Sequence, residues 1–303
     1  MSQPRHDLVQ NHASEERLGE LAILDSAHVE AYTVMAIGLL QAVYMIYTRA
    51  FSGKAYPNGC RDVPLQATGG GCISTKGLLA LRILICIYCV GIGVYHTAKI
   101  GMRINRFYTQ WNWILLTAYF GLAARESWQL MKAPPANGGE RKVGLLGQAT
   151  VVLFHVCTTM AMLVDVVTWT VLVPMLTTYN SDPKQGAHFY TVFHSFVSYN
   201  QHGVNLVFML LDFALGAMPY FPHMLGYVQL LSVSYGVWAS AYFVLSGTWL
   251  YPFLDTSKPY AWEAYLALFA AHWVFYLVLH LLSRTKEAVL RRASQDTACK
   301  KGT

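Results

Sequence analysis

The chain has 303 residues, of which 54% are hydrophobic and 13% are charged, and its formal net charge is +6. Soluble globular domains contain about 25% charged residues, so this composition excludes a water-soluble protein. The aromatic content of 14% excludes an intrinsically disordered chain. Because helices satisfy their own backbone hydrogen bonds inside lipid, the sequence predicts an all-α, polytopic transmembrane helix bundle.

Residues 1–30 are polar and contain no apolar core, so no cleavable signal peptide is expected. Further along, the chain holds apolar stretches long enough to cross a hydrocarbon layer about 30 Å thick. About seven spans are predicted, at residues 31–48, 77–98, 108–130, 148–176, 196–217, 225–247 and 261–283. The predicted organisation is a polar N-terminal segment at 1–30, a transmembrane helical domain at 31–283 and a basic cytosolic tail at 284–303.

The distribution of basic residues predicts the orientation, because Lys and Arg concentrate on the cytosolic side of membrane proteins. With seven spans, the side that holds the N-terminus has seven Lys and Arg, and the opposite side has fourteen. The C-terminus is therefore predicted to be cytosolic. Lys300 and Lys301 resemble a dilysine retrieval signal, which favours the endoplasmic reticulum. A basic tail without that role, in a protein of the plasma membrane, is the alternative.

Two cysteines, Cys60 and Cys72, lie in a loop that also contains Gly69–Gly71. The charge distribution places this loop in the cytosol, which is reducing, so the pair is not expected to form a disulfide. The basic residues lie in short clusters beside apolar stretches, a pattern that orients membrane spans. No nucleic-acid partner is therefore expected.

Thr109 opens the third predicted span, and His202 lies near the start of the fifth. With seven spans, both segments run inward from the same face, so the two side chains enter the membrane at similar depth. Neighbouring helices would then bring Thr109 and His202 together. The alternative for Thr109 is helix capping, in which its hydroxyl accepts from free backbone N–H groups.

Ionisable side chains inside spans are costly and are usually functional. On the fourth span His155 and Asp165 are ten residues apart, and on the fifth span His202, Asn205 and Asp212 fall on one face. We expect Asp165 to lie near the depth of Asp212.

Structural alternatives exist for the same residues. His202 with Asn205 could form an interhelical hydrogen-bond cluster, and the two aspartates could pair with Arg82 or with a histidine. No close ligand spacing joins these groups, so neither a metal nor an organic cofactor is expected.

The stretch from His202 to Asp212 and the loop Trp-Leu-Tyr-Pro-Phe-Leu-Asp ending at Asp255 resemble two related groups of eukaryotic membrane proteins. These are the rolling stone family, associated with myoblast fusion, and the androgen-induced family of membrane hydrolases, which cleave fatty acid esters of hydroxy fatty acids. The segment 107–124 also matches, and the resemblance covers residues 77–283. In the hydrolase branch a threonine and a histidine at the heads of two spans are catalytic, which implies these roles for Thr109 and His202.

The resemblance predicts an integral membrane lipid ester hydrolase of the threonine–histidine type, whose partners are the lipid bilayer and a membrane lipid or acyl-ester substrate. The supporting polar residues would be Asn205, Asp212, Asp165 and His155. Asn205 and an aspartate at 212 are closer to the rolling stone branch. The alternative is therefore a non-catalytic protein that organises membranes or takes part in cell fusion, and the buried carboxylates also allow a transporter.

Overall fold

A computed structural model of the chain describes residues 28–49, 56–132 and 141–301, with side chains described up to residue 292. These residues form helices and turns without a β-strand, which confirms the predicted all-α polytopic bundle. The helices are α1 His28–Thr48, α2 Thr75–Ile100, α3 Tyr108–Lys132, α4 Leu145–Val167, α5 Val173–Leu176, α6 Pro183–Phe193, α7 Phe196–Tyr199, α8 Asn205–Leu215, α9 Leu225–Ser246 and α10 Ala261–Lys301.

Five helical segments in the described part of the chain are long and apolar enough to cross a membrane, as in an integral membrane protein. They are His28–Thr48, Thr75–Ile100, Leu145–Leu176, Pro222–Ser246 and Ala261–Arg292. These segments coincide with five of the seven predicted spans.

The third and fifth predicted spans are helical but do not meet the same criterion of length and hydropathy. Helix α3 carries polar and charged side chains along its length, among them Gln110, Asn112, Arg125 and Glu126. The fifth stretch is divided into α7, a π-helical turn and α8. About seven spans is therefore more than the five continuous apolar helices found.

The chain folds into two compact units. In the first unit, which includes residues 28–43 and Gln229–Ala271, the imidazole Nδ1 of His28 lies 2.7 Å from the hydroxyl of Thr256. Helices α1 and α9 approach closely there, because a methyl group added at Gly236 would lie 2.8 Å from the Cε of Met35.

The second unit comprises Tyr44–Val228 and His272–Thr303, and it contains the predicted site residues. Within it α2 packs on α3, α3 on α4, and α4 on α8. An aromatic core fills the space between these helices. The ring of Phe154 on α4 lies 5.9 Å from that of Tyr119 on α3 and stacks at 6.1 Å on that of Phe213 on α8.

At one end of this unit, the loop after α1 joins the start of α4. The backbone N–H of Leu65 donates to the carbonyl of Arg141 at 2.7 Å, and that of Val143 donates to the carbonyl of Val63 at 3.0 Å. Lys142 adds an ion pair to Asp62 at 2.8 Å.

The Lys142 ammonium, through this hydrogen bond, holds the pKa of Asp62 below its usual value. The loop after α1 and the start of α4, which the charge distribution places on the same side of the membrane, therefore meet in the structure.

The same loop also contacts the end of α8 through Gly69–Gly71. The N–H of Gly71 donates to the carbonyl of Leu215 at 2.8 Å, and the N–H of Ala217 donates to the carbonyl of Gly69 at 3.0 Å. Lys286 of α10 donates to the carbonyl of Gly216 at 2.8 Å. A cation at the end of α8 complements the negative end of the helix dipole.

Two helices of the second unit are interrupted by π-helical turns. Thr168–Leu172 links α4 to α5, and Asn200–Val204 links α7 to α8. Within the second turn His202 has a non-helical backbone, with φ −132° and ψ 35°. Turns of this kind are rare and frequently occur at functional sites.

The connection between α5 and α7 contains a helix, α6, which the sequence analysis placed in a connector. Asp182 caps this helix, because its carboxylate accepts from the N–H groups of Lys184 at 2.9 Å and Gln185 at 3.4 Å. Pro183 follows the cap at the first helical position, where proline is common.

Candidate functional site

His202 lies in the second π-helical turn, and its side chain is only 8% exposed. Its ring Nδ1 lies 3.0 Å from the hydroxyl oxygen of Thr168, in the first π-helical turn. The backbone carbonyl of His202 accepts a hydrogen bond from the indole N–H of Trp169. Two consecutive residues of the α4–α5 segment therefore hold the side chain and the backbone of this histidine.

Thr109 lies inside the first turn of α3, because the helix begins at Tyr108 after an extended Phe107. The alternative that Thr109 caps the helix is therefore wrong. The side chain is half-buried and lies on the same face as the buried Asn112 and Trp113. It points along the face of α3 that packs inside the unit.

The residues that follow Thr109 and precede His202 are hydrogen-bonded to each other. The amide nitrogen of Gln201 donates to the side-chain oxygen of Gln110 at 2.9 Å, and it also lies 3.2 Å from Nδ1 of His96 on α2. The start of α3 and the π-helical turn are thus at the same level in the unit. Within the described residues, however, no hydrogen bond joins the hydroxyl of Thr109 to His202.

Asp165 and Asn205 form a second buried polar pair, one helical turn from Thr168 and His202 respectively. Asp165 is 6% exposed and Asn205 is fully buried. In the described part of the chain, no side-chain oxygen or nitrogen of either residue has a hydrogen-bond partner. The Asn205 amide is nevertheless the polar side chain that neighbours the carboxyl group of Asp165.

These contacts correct one sequence-based interpretation and give the partners for another. Asp165 lies level with Asn205, and Asp212 is seven residues, or about 10 Å, further along α8, so the two carboxylates are not at one depth. The approximate ends of the predicted spans do not fix how α4 and α8 align. His202 bonds across helices to Thr168 and not to Asn205, whose polar neighbour is Asp165, so the interhelical contacts involve α4.

Asp212 belongs to a separate network, which confirms the alternative that it pairs with Arg82. The Arg82 guanidinium donates to both carboxylate oxygens, with Nε 2.6 Å from Oδ1 and Nη2 3.0 Å from Oδ2. The hydroxyl of Tyr119 also donates to Asp212. The remaining Arg82 nitrogen, Nη1, donates to the carbonyl of Thr68 and to the hydroxyl of Ser127, each at 2.6 Å.

His155 is occupied at both ring nitrogens. Nδ1 lies 2.7 Å from the carbonyl of Val151, and Nε2 accepts from the backbone N–H of Phe221 at 2.8 Å. Its ring lies 4.5 Å from that of Tyr220. His155 therefore attaches the segment after α8 to α4, and none of these three contacts involves His202.

The predicted site residues thus separate into three groups. His202 and the neighbours of Thr109 lie at one level, Asp165 and Asn205 lie one turn further in, and Asp212 and His155 hold other parts of the second unit together. Thr168 was missed by the sequence analysis. Its position one helical turn after Asp165 was the available signal, but the spacing did not reveal that it faces His202.

Among the described residues, no group of three His, Cys, Asp or Glu side chains is placed to hold a metal ion. The chemistry available at this level is that of hydroxyl, imidazole and amide groups. No protein-family model, no curated protein and no solved structure matches the chain. The fold and composition define an α-helical integral membrane protein, and the resemblance to the rolling stone and androgen-induced families stays a prediction.

Proposed function

We propose that the protein is an intramembrane lipid ester hydrolase with Thr109 as nucleophile and His202 as general base. The observation that carries the proposal is the 2.9 Å hydrogen bond between Gln110 and Gln201, because these residues adjoin Thr109 and His202 in the chain. A hydroxyl becomes an effective nucleophile only when an adjacent base accepts its proton. The substrates would be fatty acid esters, such as fatty acid esters of hydroxy fatty acids.

In the proposed reaction, the hydroxyl oxygen of Thr109 attacks the ester carbonyl as Nε2 of His202 takes the hydroxyl proton. Collapse of the tetrahedral intermediate breaks the bond to the alcohol, which leaves with the proton from His202. Water, activated by the same imidazole, then releases the fatty acid from Thr109. General acid–base catalysis of this kind contributes about 10²–10⁴-fold to a rate.

The half-buried position of Thr109 suits a lipid substrate. Its helix enters the unit at this point, so an acyl chain can lie against apolar helix faces while the ester stays near the water-accessible end. The hydroxyl and the imidazole are not hydrogen-bonded to each other within the described residues. Catalytic hydrogen bonds commonly tighten only when substrate binds, so substrate would complete the pair.

A second function is favoured by one observation, the hydrogen bond from His202 to Thr168 on another helix. On this reading His202, Asn205 and Asp165 form an interhelical polar core of a non-catalytic protein that organises membranes or takes part in cell fusion. Both functions place the protein in a membrane. We propose the endoplasmic reticulum with a cytosolic C-terminus, with the plasma membrane as the alternative.

A fluorophosphonate probe, which reacts with activated hydroxyl nucleophiles, tests the hydrolase directly in membranes. Wild-type protein should be labelled on Thr109, as located by mass spectrometry of the labelled peptide. Labelling should be lost in Thr109→Ala and His202→Ala. Matched controls are Thr117→Ala, another half-buried threonine of α3, and His188→Ala, an exposed histidine; both should label normally.

Hydrolysis of a fatty acid ester of a hydroxy fatty acid, measured on the purified protein in detergent, provides the second readout. Loss of activity in Thr109→Ala and His202→Ala, with both controls active, supports the hydrolase. A folded wild-type protein that is neither labelled nor active contradicts it and favours the non-catalytic function.

A further inference from the structure

We propose that Thr168 is a positioning residue that orients His202 by accepting a hydrogen bond from its Nδ1–H, an inference that rests on the proposed function. The hydroxyl oxygen of Thr168 lies 3.0 Å from Nδ1 of His202. Both side chains are buried, at 4% and 8% exposure. Their hydrogen bond therefore forms in a low-dielectric environment, where it competes little with water.

Thr168 differs from nearby threonines in the partner of its hydroxyl. Other threonines of the same segment donate to the carbonyl four residues earlier, as Thr150 does to Leu146 at 2.8 Å and Thr170 to Val166 at 2.7 Å. Thr168 is the first residue of the π-helical turn, and its hydroxyl bonds instead to a residue 34 positions away. The hydroxyl of Thr168 is thus directed away from its own helix toward the imidazole, whereas that of Thr170 in the same turn is not.

The neighbouring residue fixes the backbone of the same histidine. The Trp169 indole N–H donates to the carbonyl of His202, whose φ and ψ are non-helical. The indole also stacks on the ring of Tyr199, at 5.7 Å between centroids. Thr168 and Trp169 together restrict both the ring and the main chain of His202, so the imidazole has one orientation.

The direction of the hydrogen bond at Nδ1 decides which ring nitrogen can act as the base. A neutral imidazole carries its proton on one nitrogen and accepts at the other. If Nδ1–H donates to Thr168, Nε2 carries a lone pair, and within the described residues Nε2 has no hydrogen-bond partner. A threonine hydroxyl can also donate to Nδ1, and the ring proton would then be on Nε2. The proposed general base requires the first direction, in which Nδ1–H stays bonded to Thr168 when Nε2 takes the proton from Thr109.

The test combines a spectrum with kinetics. ¹⁵N-histidine NMR of the full-length protein in detergent reports which nitrogen of His202 is protonated, with the signal assigned by comparison with His202→Gln. Three variants are compared with wild type: Thr168→Val removes the hydroxyl at nearly constant volume, Thr168→Ser keeps it, and Thr170→Val removes an exposed hydroxyl of the same turn.

Wild type, Thr168→Ser and Thr170→Val should carry the proton on Nδ1, whereas Thr168→Val should shift it toward Nε2. In the hydrolysis assay, kcat of Thr168→Val should fall about tenfold, which is part of the 10²–10⁴-fold effect of a general base. KM should not change, because Thr168 does not touch the substrate, and Thr168→Ser should retain the wild-type kcat.

Three results would overturn the proposal: protonation of Nε2 in the wild type, an unchanged tautomer in Thr168→Val, or a probe adduct on Thr168 instead of Thr109. The last result would make Thr168 the nucleophile itself. The tautomer does not depend on turnover, so it can be read even in an inactive protein. Absence of hydrolysis with Nδ1 protonated would contradict the hydrolase and leave the contact between Thr168 and His202 established.

Discussion

Arg82 and Asp212 form a two-point salt bridge that is completely buried, with distances of 2.6 and 3.0 Å between nitrogen and oxygen. The pair joins α2 to α8. Because Arg82 also donates to Thr68 and Ser127, the same guanidinium connects the loop before α2 and helix α3. A buried charge pair is costly to form, but here nearly every donor and acceptor has a partner, which offsets the desolvation.

Replacing one member of this pair should destabilise the protein strongly. Asp212→Ala leaves the Arg82 guanidinium buried without its counter-charge, and losses of about 3–5 kcal/mol are typical of such changes. The melting temperature of the detergent-solubilised protein should fall accordingly. The double variant Arg82→Met with Asp212→Leu should lose less than the sum of the two single losses, since it removes both charges.

Arg291→Ala provides the control, because Arg291 pairs with Glu287 at 3.5 Å on an exposed face of α10. Exposed pairs contribute about 0–1 kcal/mol, so its melting temperature should stay close to that of the wild type. Equal melting temperatures for Asp212→Ala and Arg291→Ala would show that the buried pair does not hold α2 and α8 together.

A side chain at Gly70 should disrupt the contact between the loop and the end of α8. A Cβ at this position would lie 1.9 Å from the backbone carbonyl oxygen of Ile73, so the backbone has to move. Gly70 also pairs with Gly216 in an isolated bridge. Gly70→Ala should therefore lower the melting temperature or the yield of folded protein.

Gly91→Ala is the matched change in α2, where an added Cβ meets no atom within 4 Å. Alanine is favoured over glycine inside a helix by roughly 0.5–1 kcal/mol, so this variant should be as stable as the wild type or more stable. Thermal unfolding of both variants measures the difference. A melting temperature for Gly70→Ala at or above that of Gly91→Ala would refute the close approach.

The sequence was sufficient to predict the fold class and most of the apolar helices, because length and hydropathy depend on local composition. It also offered Arg82 as a partner for Asp212, since a charge inside a span needs an opposite charge. The depth of Asp165 was predicted incorrectly because the approximate ends of two spans do not fix how their helices align. The π-helical turns have no composition of their own, so neither the contact of Thr168 nor the backbone of His202 was recognisable.

The number of spans and the position of α6 were less predictable for a different reason. Hydropathy counts apolar residues, whereas α3 buries Gln110, Asn112 and Glu126 against neighbouring helices instead of exposing them to lipid. Such a helix can pack inside the bundle although its sequence is less apolar than that of a lipid-facing span. Helix α6 is short and amphipathic, and it lies between the predicted spans 148–176 and 196–217, where no helix was predicted.

Loss of the His155 imidazole should weaken the attachment of the segment after α8. A carbonyl only accepts and a backbone N–H only donates, so the proton is on Nδ1, toward Val151, and Nε2 accepts from Phe221. His155→Phe keeps a ring but leaves the N–H of Phe221 buried and unpaired, at a cost of about 1–3 kcal/mol.

Thermal unfolding of His155→Phe measures this cost, and His188→Phe is the control at an exposed histidine. The esterase activity of His155→Phe should follow its folded fraction, because His155 contacts neither Thr109 nor Thr168. An active-site defect in fully folded His155→Phe, or a melting temperature equal to that of His188→Phe, would contradict this role.

The orientation predicted from the basic residues can be tested at Cys72, which is a free and exposed thiol. A membrane-impermeant maleimide should label Cys72 in cells whose plasma membrane alone has been permeabilised, provided that its loop is cytosolic. Replacing Cys60 and Cys299 by serine removes the other thiols on the predicted cytosolic side. Cys89 and Cys157 are buried and should stay unlabelled.

Lys184→Cys in a Cys72→Ser background supplies the opposite case, because residue 184 is exposed on the connection predicted to face away from the cytosol. Its thiol should react only after detergent has opened the internal membrane. Labelling of residue 184 before Cys72 would reverse the orientation and remove the dilysine interpretation of Lys300 and Lys301, which requires a cytosolic C-terminus. Labelling of both thiols under the same condition would place them on one side and contradict the three spans predicted between them. It would fit a membrane crossing by only Thr75–Ile100 and Leu145–Leu176 in this part of the chain.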